Sequence, residues 1–142
     1  MGQRRKTTGL KMPIEKQLSV FMENKPGRLS QICHSLAEND INIRAMSVHD
    51  TVDHSIVRLI VDHPSKALVI LEDEGVYTIA QDVVLVDIEN KPGIISEVAR
   101  KLFRADINIE YAYCTASKNQ DFGCLVVKTK DIEQTAEILD TL

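Results

Sequence analysis

The chain contains itself twice, and this constrains its folding more than any other feature. Glu23-Asn24-Lys25-Pro26-Gly27 returns as Glu89-Asn90-Lys91-Pro92-Gly93, and Asp40-Ile41-Asn42-Ile43 returns as Asp106-Ile107-Asn108-Ile109, both at an offset of 66 residues. Ser30, Leu36, Leu59 and Val61 have identical counterparts at Ser96, Leu102, Leu125 and Val127 in the same register. Two separated blocks sharing one ungapped register identify a tandem duplication. A length of 142 residues alone suggests one domain; the repeat replaces that with two. The expected division is a basic, flexible extension over residues 1–12, a first unit over 13–81 and a second over 82–142.

Each copy has the same order of elements. Residues 17–23 alternate, with Leu18, Val20 and Met22 on one face, which is strand periodicity. Pro-Gly breaks that strand. Leu29, Ile32, Cys33 and Leu36 then follow at helical spacing, and Ile95, Val98, Ala99 and Leu102 sit at the matching offsets. Residues 43–49 and 55–61 read as two further strands around a turn at 50–53. Pro64 opens a second helix that Gly75 ends, and residues 76–80 form a fourth strand running almost directly into the next copy at 83–88. The order βαββαβ predicts an α+β fold: two ferredoxin-like units packed side by side, each an antiparallel sheet with its helices on one face. In the second copy a helix over about 131–139, with Asp131 and Gln134 spaced as a capping box, leaves no residues for a fourth strand before Leu142. Residues 83–88 are therefore expected at an open edge, or paired with a strand from elsewhere.

Composition narrows the function classes. Aromatics are 4% of the chain and Trp is absent, so the core must come from Val, Ile, Leu and Ala. Four cations (Arg4, Arg5, Lys6, Lys11) precede Met12, and the net charge of −4 therefore leaves −8 for residues 12–142. A body so acidic argues against nucleic-acid binding. No apolar run approaches the ~20 residues needed to cross a bilayer, which argues against a membrane protein. Cys33, Cys114 and Cys124 form no Cys-x-x-Cys pair and read as reduced thiols of a cytoplasmic protein.

The repeated turn is where binding chemistry concentrates. Pro26 fixes φ, Gly27 tolerates a positive φ, and the turn is expected to present the N–H groups of Gly27, Arg28 and Leu29 unpaired at the positive end of a helix. Pro92, Gly93, Ile94 and Ile95 repeat the arrangement. Such a place suits a carboxylate, while an Asn24 or Asn90 carboxamide can accept from an ammonium and donate elsewhere. The alternative is plain punctuation, with Asn capping the helix. Asn42 and Asn108 cannot share that duty, because each lies beyond the far end of its helix.

An Asn-x-Pro-Gly turn, an Ile-Asn-Ile strand start, this element order and the duplication together resemble the ACT domain. The resemblance covers residues 17–80 and 82–140. It implies a regulatory module binding a small ligand, usually an amino acid, and also implies that second strands meet edge to edge in an eight-stranded sheet. Asn24 and Asn42 lie about 18 Å apart along their helix, so one ligand cannot touch both. The expectation is two quasi-equivalent sites between copies, one using Asn24 with Asn108 and the other Asn90 with Asn42. Met22, Ile43, Ile88 and Ile109 are expected beside them, with Met46 and Ala112 near enough to shape specificity.

Other constellations carry less. His49, His54 and His63 lie among aspartates, but that stretch reads as a polar turn rather than a metal site. Cys33 and His34 are neighbours on a helix and point about 100° apart. No nucleophile elbow, phosphate loop or dinucleotide fingerprint occurs. The expectation is a non-enzymatic amino-acid sensor with no cofactor and no metal, partnered by a second copy or by an enzyme of amino-acid metabolism. The rival is an interaction module without a ligand, docking an enzyme at the 83–88 edge.

Overall fold

A computed structural model describes residues 13–142. The basic arm expected to be flexible lies outside the described residues. Ten elements follow in order: β1 (Ile14–Glu23), α1 (Arg28–Glu38), β2 (Ile43–Asp50), β3 (His54–Val61), α2 (Pro64–Asp73), β4 (Tyr77–Glu89), α3 (Ile94–Arg104), β5 (Tyr111–Thr115), β6 (Phe122–Lys128) and α4 (Ile132–Leu139). The six strands form an antiparallel sheet in the order β2-β3-β1-β4-β6-β5. The chain divides into two compact units, residues 16–81 and residues 82–142 joined by 13–15.

In the first unit the alternation of β1 places Leu18, Val20 and Met22 on the helix side, with Leu18 opposite Leu59 and Val20 opposite Val57. Ile32 and Leu36 of α1 and Ala67 and Leu71 of α2 close over them. Each fully buried aliphatic side chain contributes about 1.5–3 kcal/mol, so this layer is the main source of the unit's stability. Pro64 stands at the start of α2, where its missing N–H costs nothing, and Gly75 ends the helix at a φ of 80°.

The second unit repeats the core with Val84, Val86, Ile88, Leu125 and Val127 under Val98 and Leu102 of α3 and Ala136 and Leu139 of α4. One expected contact is shifted. Ile95 and Ala99 face solvent, and the buried stripe has three residues, with Ile94 joining Val98 and Leu102. Ile94, Val98 and Leu102 recur every four residues and form a tighter stripe than the expected set. The capping box of α4 forms in part: Asp131 Oδ1 accepts from the Gln134 N–H at 3.1 Å, while Asp131's own N–H donates to Thr129 Oγ1.

Two expectations about strands are corrected, and a third is met in one of its two forms. The fourth strand of the first copy and the first strand of the second are one continuous element, β4, because Ala80-Gln81-Asp82 contains no turn residue to interrupt it. Of the two outcomes expected for residues 83–88, pairing with a strand from elsewhere is the one found: the Leu85 N–H donates to the Pro13 carbonyl at 2.9 Å, and Ile14 packs against the second unit's core. The start of β1 and the residue before it thus take the place of the missing fourth strand. The eight-stranded sheet is also corrected. Among the described residues the sheet has six strands, and β2 and β5 each pair on one side only, with β3 and β6.

The repeated Asp-Ile-Asn-Ile motif has a backbone reason. Asp40 and Asp106 both adopt a φ of 60°. After them the Ile41 N–H reaches back to the Leu36 carbonyl at 3.0 Å, and the Ile107 N–H to the Leu102 carbonyl at 2.9 Å. This is a Schellman-type ending with Asp where Gly is usual. Asp106→Gly is accordingly expected to raise stability by about 0.5–1 kcal/mol by relieving left-handed strain, measured as a shift in urea midpoint at unchanged slope.

Candidate ligand site

The two strand-to-helix turns have nearly the same geometry. Gly27 has a φ of 84° and Gly93 one of 90°, and each immediately precedes its helix. A Cβ built on either glycine meets nothing within 4 Å. Glycine is therefore required by conformation, and the space in front of it is open. Neither α1 nor α3 has a side-chain cap, so the two asparagines are not helix caps.

Their carboxamides hold the turns to the neighbouring hairpins. Asn24 Nδ2 donates to Asp50 Oδ1 at 2.7 Å, at the end of β2. Asn90 Nδ2 donates to the carbonyls of Ser117 at 2.8 Å and Gln120 at 2.9 Å, in the turn between β5 and β6. Sequence reasoning missed these partners. The position matching Asp50 is Ala116, and the second copy substitutes backbone acceptors for the carboxylate. Both Asn Oδ1 atoms remain without a protein donor among the described residues.

The expected set of free N–H groups is smaller than supposed. Arg28 N–H donates to the Lys25 carbonyl at 3.3 Å, and Ile94 N–H to the Lys91 carbonyl at 3.4 Å. A turn tight enough to place glycine in the left-handed region brings that carbonyl within reach. The N–H groups of Gly27 and Leu29, and of Gly93 and Ile95, have no backbone partner among the described residues. Beside the second turn the Glu89 carboxylate, hydrogen-bonded to Lys91, raises the ammonium above the usual lysine range.

The remaining predicted residues separate into core and surface. Met22, Ile88 and Ile94 are buried within their own units; Ile43 and Ile109 are partly buried against the same cores. Pro26, Pro92 and Ile95 are exposed, and Leu29 is half-buried. The Arg28 guanidinium donates to Gln31 Oε1 at 2.9 Å and to the Glu74 carbonyl at 3.3 Å. Asn42 is held through its backbone, its N–H donating to Asp62 Oδ1 at 3.1 Å and its carbonyl accepting from the Asp62 N–H. Its side chain faces solvent.

Asn108 opens onto a cavity of about 320 Å³ lined by Asp106, Ile107, Glu110, Lys130, Asp131 and Gln134. Three carboxylates and one ammonium line it, so it favours a cationic group. Of its lining, only Asn108 was singled out as a site residue from the sequence. Lys130 and Asp131 come from the β6–α4 connection and Gln134 from the first turn of α4, and nothing in their spacing relates them to Asn108. Within each unit the Pro-Gly turn and the Asn-Ile turn stand at opposite ends of a helix of 11 residues, so neither unit brings Asn24 to Asn42 or Asn90 to Asn108.

Among the described residues no group of three His, Cys, Asp or Glu could hold a metal ion. Burial raises the Cys33 thiol above its ordinary range, which suits packing rather than attack. No described helix is long and apolar enough to cross a membrane.

The ACT domain pair family matches residues 12–141, and the chain belongs to it. Protein BT0572 from Bacteroides thetaiotaomicron is 32% identical, with 92% of this chain and 89% of that one covered and a TM-score of 0.84. The ligand-free regulatory subunit of aspartate kinase from Thermus thermophilus is 16% identical over 92% of this chain and 93% of its own, with a TM-score of 0.69. Aspartokinase III from E. coli, solved with lysine and aspartate, is 17% identical, covers 90% of this chain but 31% of its own, and has a TM-score of 0.52. These last two share the fold. No curated protein matches the chain in sequence.

The glycine turns can be tested without a ligand. Gly27→Ala is expected to destabilise the protein by about 1–2 kcal/mol through left-handed strain alone. Ser30→Ala, one turn further along an exposed face, is expected to change stability by less than about 0.5 kcal/mol. Urea denaturation of both variants separates conformation from surface chemistry.

Proposed function

We propose that this protein is a non-catalytic sensor that binds an amino acid at the junction of two ACT units. The observation carrying this reading is that both Pro-Gly turns hold a positive-φ glycine before an uncapped helix. The uncapped first-turn N–H groups and the helix dipole suit the ligand carboxylate. The acidic cavity at Asn108 suits its ammonium, with the Asn24 carboxamide between. Because the Pro-Gly turn and the Asn-Ile turn stand at opposite ends of each unit, the Asn24–Asn108 and Asn90–Asn42 pairings require one ACT unit to face another. Membership of the ACT domain pair family, and a fold shared with an aspartate kinase regulatory subunit, support a regulatory rather than a chemical role. Cys33, Cys114 and Cys124 form no disulfide, which suits a reducing, cytoplasmic setting.

Ligand binding would act by favouring one association state over another, which requires different affinities for the two. The reading without a ligand, in which residues 83–88 dock an enzyme, is weakened because Leu85 already has Pro13 as its partner.

Thermal-shift measurements against the twenty amino acids at millimolar concentration test the proposal. A ligand present at about 100 times its Kd should add ~2.7 kcal/mol of apparent stability. Asn24→Ala combined with Asn108→Ala should abolish the shift at one class of site. Silence across the whole panel, or an unchanged shift in the double variant, would contradict the reading.

A further inference from the structure

Each Pro-Gly turn leans on the tip of the hairpin beside it, and the two tips are built differently. Between β2 and β3 only residues 51–53 intervene. The Thr51 N–H and Thr51 Oγ1 both donate to the His54 carbonyl, at 2.8 and 2.7 Å, and the His54 N–H donates back to Thr51 Oγ1 at 3.2 Å. This tight turn sets Asp50, the last residue of β2, opposite Ser55, whose hydroxyl donates to Asp50 Oδ1 at 3.4 Å. Asn24 Nδ2 donates to the same oxygen at 2.7 Å. Between β5 and β6 the longer stretch 116–121 intervenes. It closes on itself through the Gln120 N–H and the Ser117 carbonyl at 3.1 Å. The Ser117 and Gln120 carbonyls both accept from Asn90 Nδ2, at 2.8 and 2.9 Å.

The partners differ, but every one of them is an acceptor. Carboxylates and carbonyls have no hydrogen to give, so an asparagine can face them only with its nitrogen. Its carboxamide oxygen is then the atom left for something else. Asn24 and Asn90 are both exposed, so packing does not set their orientation and these hydrogen bonds do. Counting hydrogens separates the copies. Asn24 gives one of its two N–H groups to Asp50 and keeps one, whereas Asn90 has an acceptor for each of its two.

We propose that the hairpin tips belong to the ligand site as positioning groups, Asp50 holding Asn24 and the Ser117 and Gln120 carbonyls holding Asn90, each with its oxygen left for the ligand. A turn held in this way accepts an N–H and so selects the ammonium of an amino acid. A deaminated acid brings no donor to that oxygen. The spare N–H of Asn24 makes the first turn the more tolerant of the two. The selectivity rests on the amino-acid reading above; the fixed orientation does not, and is measured without a ligand.

Water exchange of the side-chain amide protons, followed by NMR on ligand-free protein, supplies the first test. Both Nδ2 protons of Asn90 and one of Asn24 should exchange about five- to tenfold more slowly than those of Asn42, whose side chain faces solvent. Asp50→Ala should bring the slow Asn24 proton to the Asn42 rate and leave Asn90 unchanged. Equal rates for the two Asn24 protons, or indifference to Asp50→Ala, would overturn the inference. The second test takes the amino acid with the largest thermal shift and the acid of the same carbon skeleton lacking its amino group. The deaminated acid should bind at least tenfold more weakly, about 1.4 kcal/mol. Asp50→Ala should reduce that preference at one class of site, and Asp50→Asn, which still offers Asn24 an oxygen, should keep most of it. A purely structural Asp50 would change stability and leave the preference untouched, and that result would also overturn the inference. The expected exchange pattern with no thermal shift from any amino acid would count against the ligand reading alone.

Discussion

A strand edge inside a folded unit must find acceptors for its N–H groups, and this single requirement organises the chain. Among the described residues the last element of the second copy is a helix, α4. Residues 13–15 fill the place of a fourth strand, with Pro13 accepting from Leu85 and Ile14 entering the core between helix and sheet. A buried or half-buried donor left without a partner costs about 1–3 kcal/mol, a sizeable fraction of what a unit this small can accumulate. The arrangement also explains why β4 is 13 residues long. It closes the first copy's sheet with one end and opens the second copy's with the other, and an interruption between them would free two more edges.

The sequence carried the local structure well because local structure here depends on local chemistry. Glycine at a positive φ, proline at a helix start and apolar spacing along a helix each act over a few residues. Ile32 and Leu36 could therefore be placed from the repeat alone. What it did not carry is pairing at a distance. Nothing near Leu85 announces Pro13, and nothing near Asn24 announces Asp50, which lies 26 residues away and is delivered by the register of β2 on β3. The misplaced stripe of α3 has the same origin. Ile94 and Ile95 are equally apolar, and only packing on the sheet decides which turns inward.

The Asn-x-Pro-Gly element therefore has two separable jobs that look like one motif. The glycine sets the backbone so that the first helical N–H groups face outward, and the asparagine fixes the turn against a hairpin tip. The second job is done differently in the two copies: by a carboxylate at Asp50 in one and by two carbonyls in the other. That the same asparagine persists with unrelated partners indicates that the turn's position, rather than any particular hydrogen bond, is what the fold requires.

Duplication then gives two turns of one shape in unlike electrostatic settings. In the first, Arg28 holds a cation near the helix start, steadied by Gln31 and the Glu74 carbonyl. In the second, the same position is Ile94, withdrawn into the core, and the nearest ammonium, Lys91, is engaged by Glu89. A carboxylate arriving at the first turn meets a charge-assisted donor as well as backbone N–H groups; at the second it meets the backbone and a neutralised lysine. Hydrogen bonds to charged groups contribute about 1.5–3 kcal/mol against about 1 for neutral ones. Two sites built on these turns would consequently fill in sequence rather than together, the first turn before the second, and a protein with two such sites could respond to ligand over a wider range of concentration than one site allows.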